Sequence, residues 1–205
     1  MPIVPEYIES KSILSKLRGR DTLFGLTYNM NLYRGCQHGC IYCDTRSDCY
    51  GIGDIDHISV KSNALELLRK ALRSKRTKGT IGTGSMNDPY MPIEAGEQLT
   101  RRALGEIADA RFPVQVITKG ALVERDADIL SDITKTYAAV SFTVTASDDA
   151  LSRLIEPRAS LTSARLRAME TLAKAGIYTG VTMMPMLPFI TDNEPNTGEI
   201  LRRAA

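Results

Sequence analysis

Short runs rich in β-branched and apolar residues alternate along this chain with longer stretches whose apolar positions recur at helical spacing. That alternation predicts βα units around a parallel sheet. Strands are expected over 28–34, 79–84, 114–118, 138–145 and 177–184. A helix beginning near Asn63, where Asn63 and Glu66 have capping-box spacing, carries Leu65, Leu68 and Leu72 on one stripe and leaves Arg69, Lys70 and Arg73 in water. A second helix carries Leu99, Ala103 and Ile107, and a third carries Ile129 and Ile133. A fourth runs over 160–175 with Leu166, Met169 and Ala173 inward and Gly176 at its stop. Residues 196–205 read as one more helix that ends without a cap. Five strands, each followed by a helix or its beginning, suit a doubly wound sheet or a barrel, and periodicity does not choose between them. Residues 1–27 show no clear period and form a lead-in segment with the basic cluster Lys11, Lys16, Arg18 and Arg20; the core is expected over 28–205.

Composition narrows the class without naming it. The 205 residues are 43% hydrophobic and 24% charged, and Lys+Arg 26 against Asp+Glu 24 leaves a net charge of +2. A charge that small gives no general field for nucleic acid or an anionic membrane. The N-terminal Met1-Pro2-Ile3-Val4-Pro5-Glu6 lacks a basic segment followed by an apolar run, and no apolar stretch approaches the roughly 18 residues of a membrane span. The expectation is a cytoplasmic protein with no membrane partner. Arg69, Lys70, Arg73, Lys75, Arg76 and Lys78 form the most basic stretch, but without interleaved aromatics it reads as a solvated helix face. Gly82-Thr83-Gly84-Ser85-Met86-Asn87 lacks the third glycine of a dinucleotide loop, and no Gly-Lys-Ser/Thr occurs, so a nucleotide-phosphate site is not supported.

The cysteines change the picture. Four are too few for a disulfide scaffold in a chain this long, and Cys36, Cys40 and Cys43 crowd into one segment as C-x3-C-x2-C just after a predicted strand. Thiolates select zinc, copper(I) or iron-sulfur clusters. A four-iron cubane held by three cysteines leaves one iron without a protein ligand, free to bind a small molecule. The alternative is a structural zinc site closed by His38, His57 or Cys49, although such sites usually pair two knuckles and no second knuckle is present. Cys49 itself reads as a spare ligand, a reactive thiol or a small buried hydrophobe.

With Tyr42 in place, Cys36, Cys40, Tyr42 and Cys43 match C-x3-C-x-aromatic-C, and the chain resembles the radical S-adenosylmethionine (SAM) enzymes. From about Tyr28 onward it is similar to the branch related to spore photoproduct lyase, through the segments 84–90, Thr118-Lys119 and 141–145. The resemblance implies an α/β fold, a partial (β/α) barrel of six βα units of which this sequence supplies about five. It also implies a [4Fe-4S] cluster on Cys36, Cys40 and Cys43, whose open iron is chelated by S-adenosyl-L-methionine, and Tyr42 near the adenine. Ser85, Asn87 and Asp88 are implied to face the methionine amino group, Lys119 and Ser141 its carboxylate, and Thr143 the ribose. The opposite charges of Asp88 and Lys119 suit the two ends of a zwitterion. All these positions fall at or near strand C-terminal ends, where barrel enzymes build their sites.

The implied activity is reductive cleavage of SAM to a 5′-deoxyadenosyl radical, with electrons from an external one-electron donor. The lyase proper uses a hydrogen-donating cysteine just after its second strand, where this sequence has Met86, so repair of a thymine dimer is not the expected reaction. Nucleic acid enters as a substrate through the resemblance alone. Residues 181–189 are expected to help close the adenine pocket. Glu156-Pro157-Arg158 and Arg165 line a substrate mouth or pair on the surface, and both readings stand. The competing function is a non-enzymatic iron-sulfur or zinc-binding module without turnover.

Overall fold

The chain's β-branched runs become strands and its apolar stripes become the helix faces that cover them, in a computed structural model describing residues 5–19, 21–51 and 53–205. Arg20 of the basic cluster and the first four residues lie outside that range. In chain order the elements are β1 (Glu6–Ile8), β2 (Leu14–Lys16), β3 (Leu26–Met30), β4 (Tyr33–Arg34), β5 (Ser59–Lys61), α1 (Ala64–Ser74), β6 (Thr80–Thr83), α2 (Glu94–Glu97), α3 (Leu99–Asp109) and β7 (Val114–Thr118). They continue with α4 (Ala127–Ile133), β8 (Ala138–Thr143), α5 (Asp149–Ile155), α6 (Thr162–Lys174), β9 (Tyr178–Thr182) and α7 (Glu194–Ala204).

The larger sheet has the order β2-β3-β6-β7-β8-β9 and is parallel except for β2, which pairs antiparallel with β3. Its five parallel strands are the five expected from the sequence. They lie in chain order with no reversal, which decides the topology left open by periodicity. Right-handed crossovers between strands added always on the same side place the helices on one face, and the sheet winds as a partial barrel, open between β2 and β9, rather than around a doubly wound switch point. Alternation along the strands then sorts the side chains. Val114 and Val116 of β7 and Val140 and Phe142 of β8 join Leu68, Leu72, Leu104, Ile107, Leu130, Leu166 and Leu172 in one core. Gln115, Ile117, Ser141 and Thr143, one position out of phase, point to the opposite, inner face.

Several expectations are corrected. Residues 28–34 do not form one strand: β3 stays in the main sheet, while β4 turns away to pair with β5 in the small sheet β1-β5-β4. Buried Leu32 and the bond from Lys61 Nζ to the Asn31 carbonyl (2.7 Å) hold that break. The lead-in segment contributes β1 and β2, whose three residues each are too few to display a period of two. Asn63 does not cap α1 through its side chain; its amide instead accepts from Ser10 N (3.0 Å) and donates to Ser10 O (2.9 Å), tying the lead-in to the core. In α6 the inward residue of the last turn is Leu172, and Ala173 is exposed. Gly176 stops that helix at φ 79°, the left-handed conformation expected of it. Among the described residues, no helix is long and apolar enough to cross a membrane.

Candidate functional site

The cysteine segment leaves β4 through Gly35, whose φ of 78° brings the chain so close to the 55–57 loop that a Cβ would stand 2.3 Å from the His57 carbonyl oxygen. Only glycine fits there. The tight exit lets Cys36 N donate to the Ile55 carbonyl (2.8 Å), and Gln37 Oε1 accepts from Ile93 N (2.6 Å). Residues 36–43 thereby fold back over the C-terminal ends of the parallel strands.

Cys36, Cys40 and Cys43 all line one cleft of about 620 Å³. Its other walls are Tyr42, the 84–88 turn after β6, Ile117 to Lys119 at the end of β7, Thr143 at the end of β8, and Thr182, Met184 and Pro185 at the end of β9. Burial, with the Asp88 carboxylate adding to it, pushes the Cys36 thiol up to about 12. Burial raises Cys40 as well, against the opposing pull of Lys119. Neighbouring buried thiols resist ionising together, so as thiolates they call for a cation between them. Among the described residues, no three His, Cys, Asp or Glu side chains already converge closely enough to hold an ion. The donor set itself fits a soft metal centre: three thiols on one short loop, facing one cleft.

Of the alternative fourth ligands, Cys49 and His57 lie outside the cleft, whereas His38 lines it beside Asp88. Cys49 is exposed and accepts from Ser47 Oγ (3.2 Å), which also rules out the buried hydrophobe reading. His57 Nε2 lies 3.0 Å from Glu6 Oε2 on an exposed surface. His38 is buried, its Nδ1 3.4 Å from Asp88 Oδ2, and burial lowers its pKa despite that carboxylate.

Asp88 lines the cleft and is also bonded into the protein around it. Oδ1 accepts from Tyr90 N (2.8 Å) and Thr118 Oγ1 (2.6 Å), and Oδ2 accepts from Lys119 N (2.6 Å). With His38 also beside Oδ2, the carboxylate is committed to the protein and ties the 84–90 turn to the end of β7. Asn87 is similarly occupied, donating from Nδ2 to the Tyr33 carbonyl (2.8 Å), and Ser85 Oγ donates to Asn29 Oδ1 (2.9 Å). These side chains shape the turn, and it is the turn as a whole that faces the cleft.

Lys119 projects its ammonium to 5.7 Å from the centroid of the Tyr42 ring. The far end of that tyrosine is fixed below the cleft: its hydroxyl hydrogen-bonds Glu156 and lies 3.2 Å from Thr145 Oγ1. Glu156 also accepts from Thr145 (3.1 Å) and pairs with fully buried Arg165, which donates to the carbonyls of Ser160 (2.7 Å) and Thr143 (2.8 Å). Burial pushes the Glu156 carboxyl up, but Arg165 and Lys119 outweigh it and the net shift is downward. Burial and Glu156 together push the Tyr42 hydroxyl up, so it stays protonated and donates. Glu156 and Arg165 are thus neither a substrate mouth nor a surface pair.

Of the expected contacts, Tyr42, Ser85, Asn87, Asp88, Lys119 and Thr143 come together around the cleft with the three cysteines. Ser141 does not. It lies on the same face as Thr143 but two residues earlier, about 6.6 Å deeper along the strand, where its hydroxyl accepts from Gln115 Nε2 (2.8 Å). Thr182, Met184 and Pro185 fall within the 181–189 stretch expected to close the pocket. Glu156 had no local signal for its role, because its partner Tyr42 is 114 residues away.

A sequence profile of the Radical SAM superfamily matches residues 30–199. An uncharacterized protein of Mycobacterium tuberculosis (strain ATCC 25618 / H37Rv) is 30% identical over 203 residues, covering 95% of this chain and 59% of that protein. An uncharacterized protein of Methanocaldococcus jannaschii is 34% identical over 178 residues, covering 85% and 66%. A radical SAM Nalpha-GlyT isomerase of Pseudomonas phage M6 is 26% identical over 159 residues, covering 78% and 33%. In three dimensions the chain is similar to a cysteine-to-alanine variant of spore photoproduct lyase, with a TM-score of 0.74 at 17% identity over 96% of this chain and 56% of the lyase. A form of that lyase with bound AdoMet and dinucleoside spore photoproduct gives 0.65 at 16% identity, over 96% and 65%. The chain therefore spans about 59% of the length of the first curated relatives it matches.

Proposed function

We propose, from the premise that this chain belongs to the radical SAM superfamily, that it is an enzyme holding a [4Fe-4S] cluster on Cys36, Cys40 and Cys43 and S-adenosyl-L-methionine in the adjoining cleft. When bound, such a cluster supplies one electron to the sulfonium, splitting the bond to the 5′ carbon into methionine and a 5′-deoxyadenosyl radical. The observation that carries the reading is the shared cleft: three thiols face it together with a cationic side chain, a fixed aromatic ring and a backbone turn. Cys49 and His57 stand outside the cleft on other partners, and His38, which lines it, has Nδ1 against the Asp88 carboxylate. On this reading the three thiols hold the cluster and one iron stays open toward the cleft, the feature that separates a reactive metal site from a structural one.

Each residue then has a task set by its position. Lys119 offers its ammonium to the methionine carboxylate. The 84–88 turn, held rigid by Asp88 and Asn87, presents its backbone carbonyls to the amino group. Tyr42 gives the adenine a flat wall that Glu156 and Thr145 keep from rotating. Thr143, paired with Thr182 across 3.1 Å, offers a hydroxyl to the ribose. The electron comes from an external one-electron donor.

The reading is tested on anaerobically reconstituted protein by electron paramagnetic resonance after reduction, with and without SAM. The expected result is a four-iron signal that changes when SAM is added, accompanied by release of 5′-deoxyadenosine, and loss of iron in Cys40→Ala. A signal indifferent to SAM refutes direct ligation. Zinc in place of iron, or an intact cluster that releases no 5′-deoxyadenosine, points to the non-enzymatic alternative.

A further inference from the structure

The turn after α5 grips the cysteine loop from both sides. Ile41 N donates to the Ile155 carbonyl (3.0 Å) and Arg158 N to the His38 carbonyl (3.1 Å), while Glu156 takes the Tyr42 hydroxyl below. Above, Arg158 Nε donates to the Gln37 carbonyl (2.5 Å) and its guanidinium lies against Gly39, where a Cβ would stand 2.8 Å from Nη2. Gly39 is favoured by its φ of 67°, and its bare Cα lets the guanidinium lie close. The guanidinium is oriented in turn: Nη2 donates to Asp56 Oδ1 (2.5 Å), and Asp56 Oδ2 accepts from Arg46 Nη1 (3.2 Å). Arg46 Nε reaches back to the Cys40 carbonyl (3.5 Å). A cation, an anion and a second cation therefore run along the loop that carries Cys36 and Cys40, bound to carbonyls on both sides of Gly39.

Ion pairs this exposed contribute only about 0–1 kcal/mol to folding, so bulk stability gives little reason for three charges here. Their position against the ligating loop gives a better one. Adding an electron to an iron-sulfur group adds negative charge, which a fixed cation favours and a fixed carboxylate opposes; net charge and hydrogen bonding around such groups set their potentials. We infer that Arg158 is a positioning residue for the metal centre, holding the loop between Cys36 and Cys40 in its ligating path and, with its charge tempered by Asp56, making the bound cluster easier to reduce. This rests on the cluster reading proposed for the same cleft.

The test compares the full chain with Arg158→Gln and Asp56→Asn after anaerobic reconstitution, measuring iron content and the midpoint potential by a redox titration followed with electron paramagnetic resonance. Arg158→Gln is expected to be harder to reduce, by about tenfold in the reduced-to-oxidised ratio at a fixed potential, which is about 59 mV for a one-electron couple. Asp56→Asn is expected to shift in the opposite direction. A purely structural role moves iron content without separating the potentials, so unchanged potentials, or two shifts of the same sign, overturn the inference. Where Arg158→Gln fails to hold iron, Asp56→Asn decides alone: an upward shift supports the inference and any other result overturns it. Failure of the unsubstituted chain to bind iron sinks the cluster reading and this inference with it, whereas normal loading with both variants at the parent potential sinks only the inference.

Discussion

Glu156 gathers three side chains behind the cleft. It is buried together with Arg165, takes hydrogen bonds from Tyr42 and Thr145, and through Arg165 reaches the carbonyls of Ser160 and Thr143. A buried pair is held by mutual compensation, and removing one charge leaves the other without a partner, at about 3–5 kcal/mol. Glu156→Gln should therefore lose about that much stability at neutral pH, read from urea denaturation followed by circular dichroism. Because the folded carboxyl sits below its unfolded value of about 4.3, its contribution is whole above that value and is lost as pH falls through the folded one. The stability difference between the parent and Glu156→Gln should accordingly narrow below about pH 4; a difference that stays constant on acidification contradicts the role given to the charge. At this scale the spacing of Cys36, Cys40 and Cys43 marked them as candidate metal ligands, and Glu156 and Arg158 stayed undecided because their partners lie 114 and 121 residues away.

Among the elements, α6 shows how a periodic reading comes close and then slips by one position. Leu166 and Met169 are buried as the spacing predicts, and either Leu172 or Ala173 continues the stripe three or four residues later. The choice is made from outside the helix. Arg165, bound to Glu156 and Thr143, turns the helix so that Thr162, Arg165, Ala168 and Leu172 face the sheet. Leu172→Ala should cost about 2–5 kcal/mol through the cavity it leaves, whereas Ala173→Ser should stay within about 0.5 kcal/mol, both measured by chemical denaturation. A similar displacement explains Asn63, whose side chain is drawn from its own helix to Ser10. Of the basic stretch expected as a solvated helix face, only Arg69, Lys70 and Arg73 lie on α1, where Arg69 pairs with Glu106; Lys75 and Lys78 fall beyond the helix and lie over the rings of Tyr28 and Phe112.

For the molecule as a whole, sequential strand order brings the ends of β6, β7, β8 and β9 to one rim, and the cysteine loop closes over it. Depth along a strand then separates residues that sequence treats alike. Thr143 at the rim and Ser141 below it share a face, but only Thr143 reaches the cleft. Thr143→Ala should weaken SAM binding by roughly tenfold, about 1.4 kcal/mol, while Ser141→Ala should leave it unchanged, as measured by anaerobic titration calorimetry; the reverse result would return Ser141 to the site. The amino-acid sequence by itself determined the alternation of strands and helices, the count of five parallel strands and the three thiols on one loop, because periodicity and ligand spacing are local properties of a chain. Only the fold shows that the parallel strands lie in unbroken chain order, that the Asp88 carboxylate binds Thr118 and Lys119, and that Glu156 and Arg158 hold the cysteine loop from its two sides. Those outcomes depend on which distant side chains meet, and a meeting across a hundred residues is fixed by how the strands are ordered in the sheet and leaves no periodic trace in the chain.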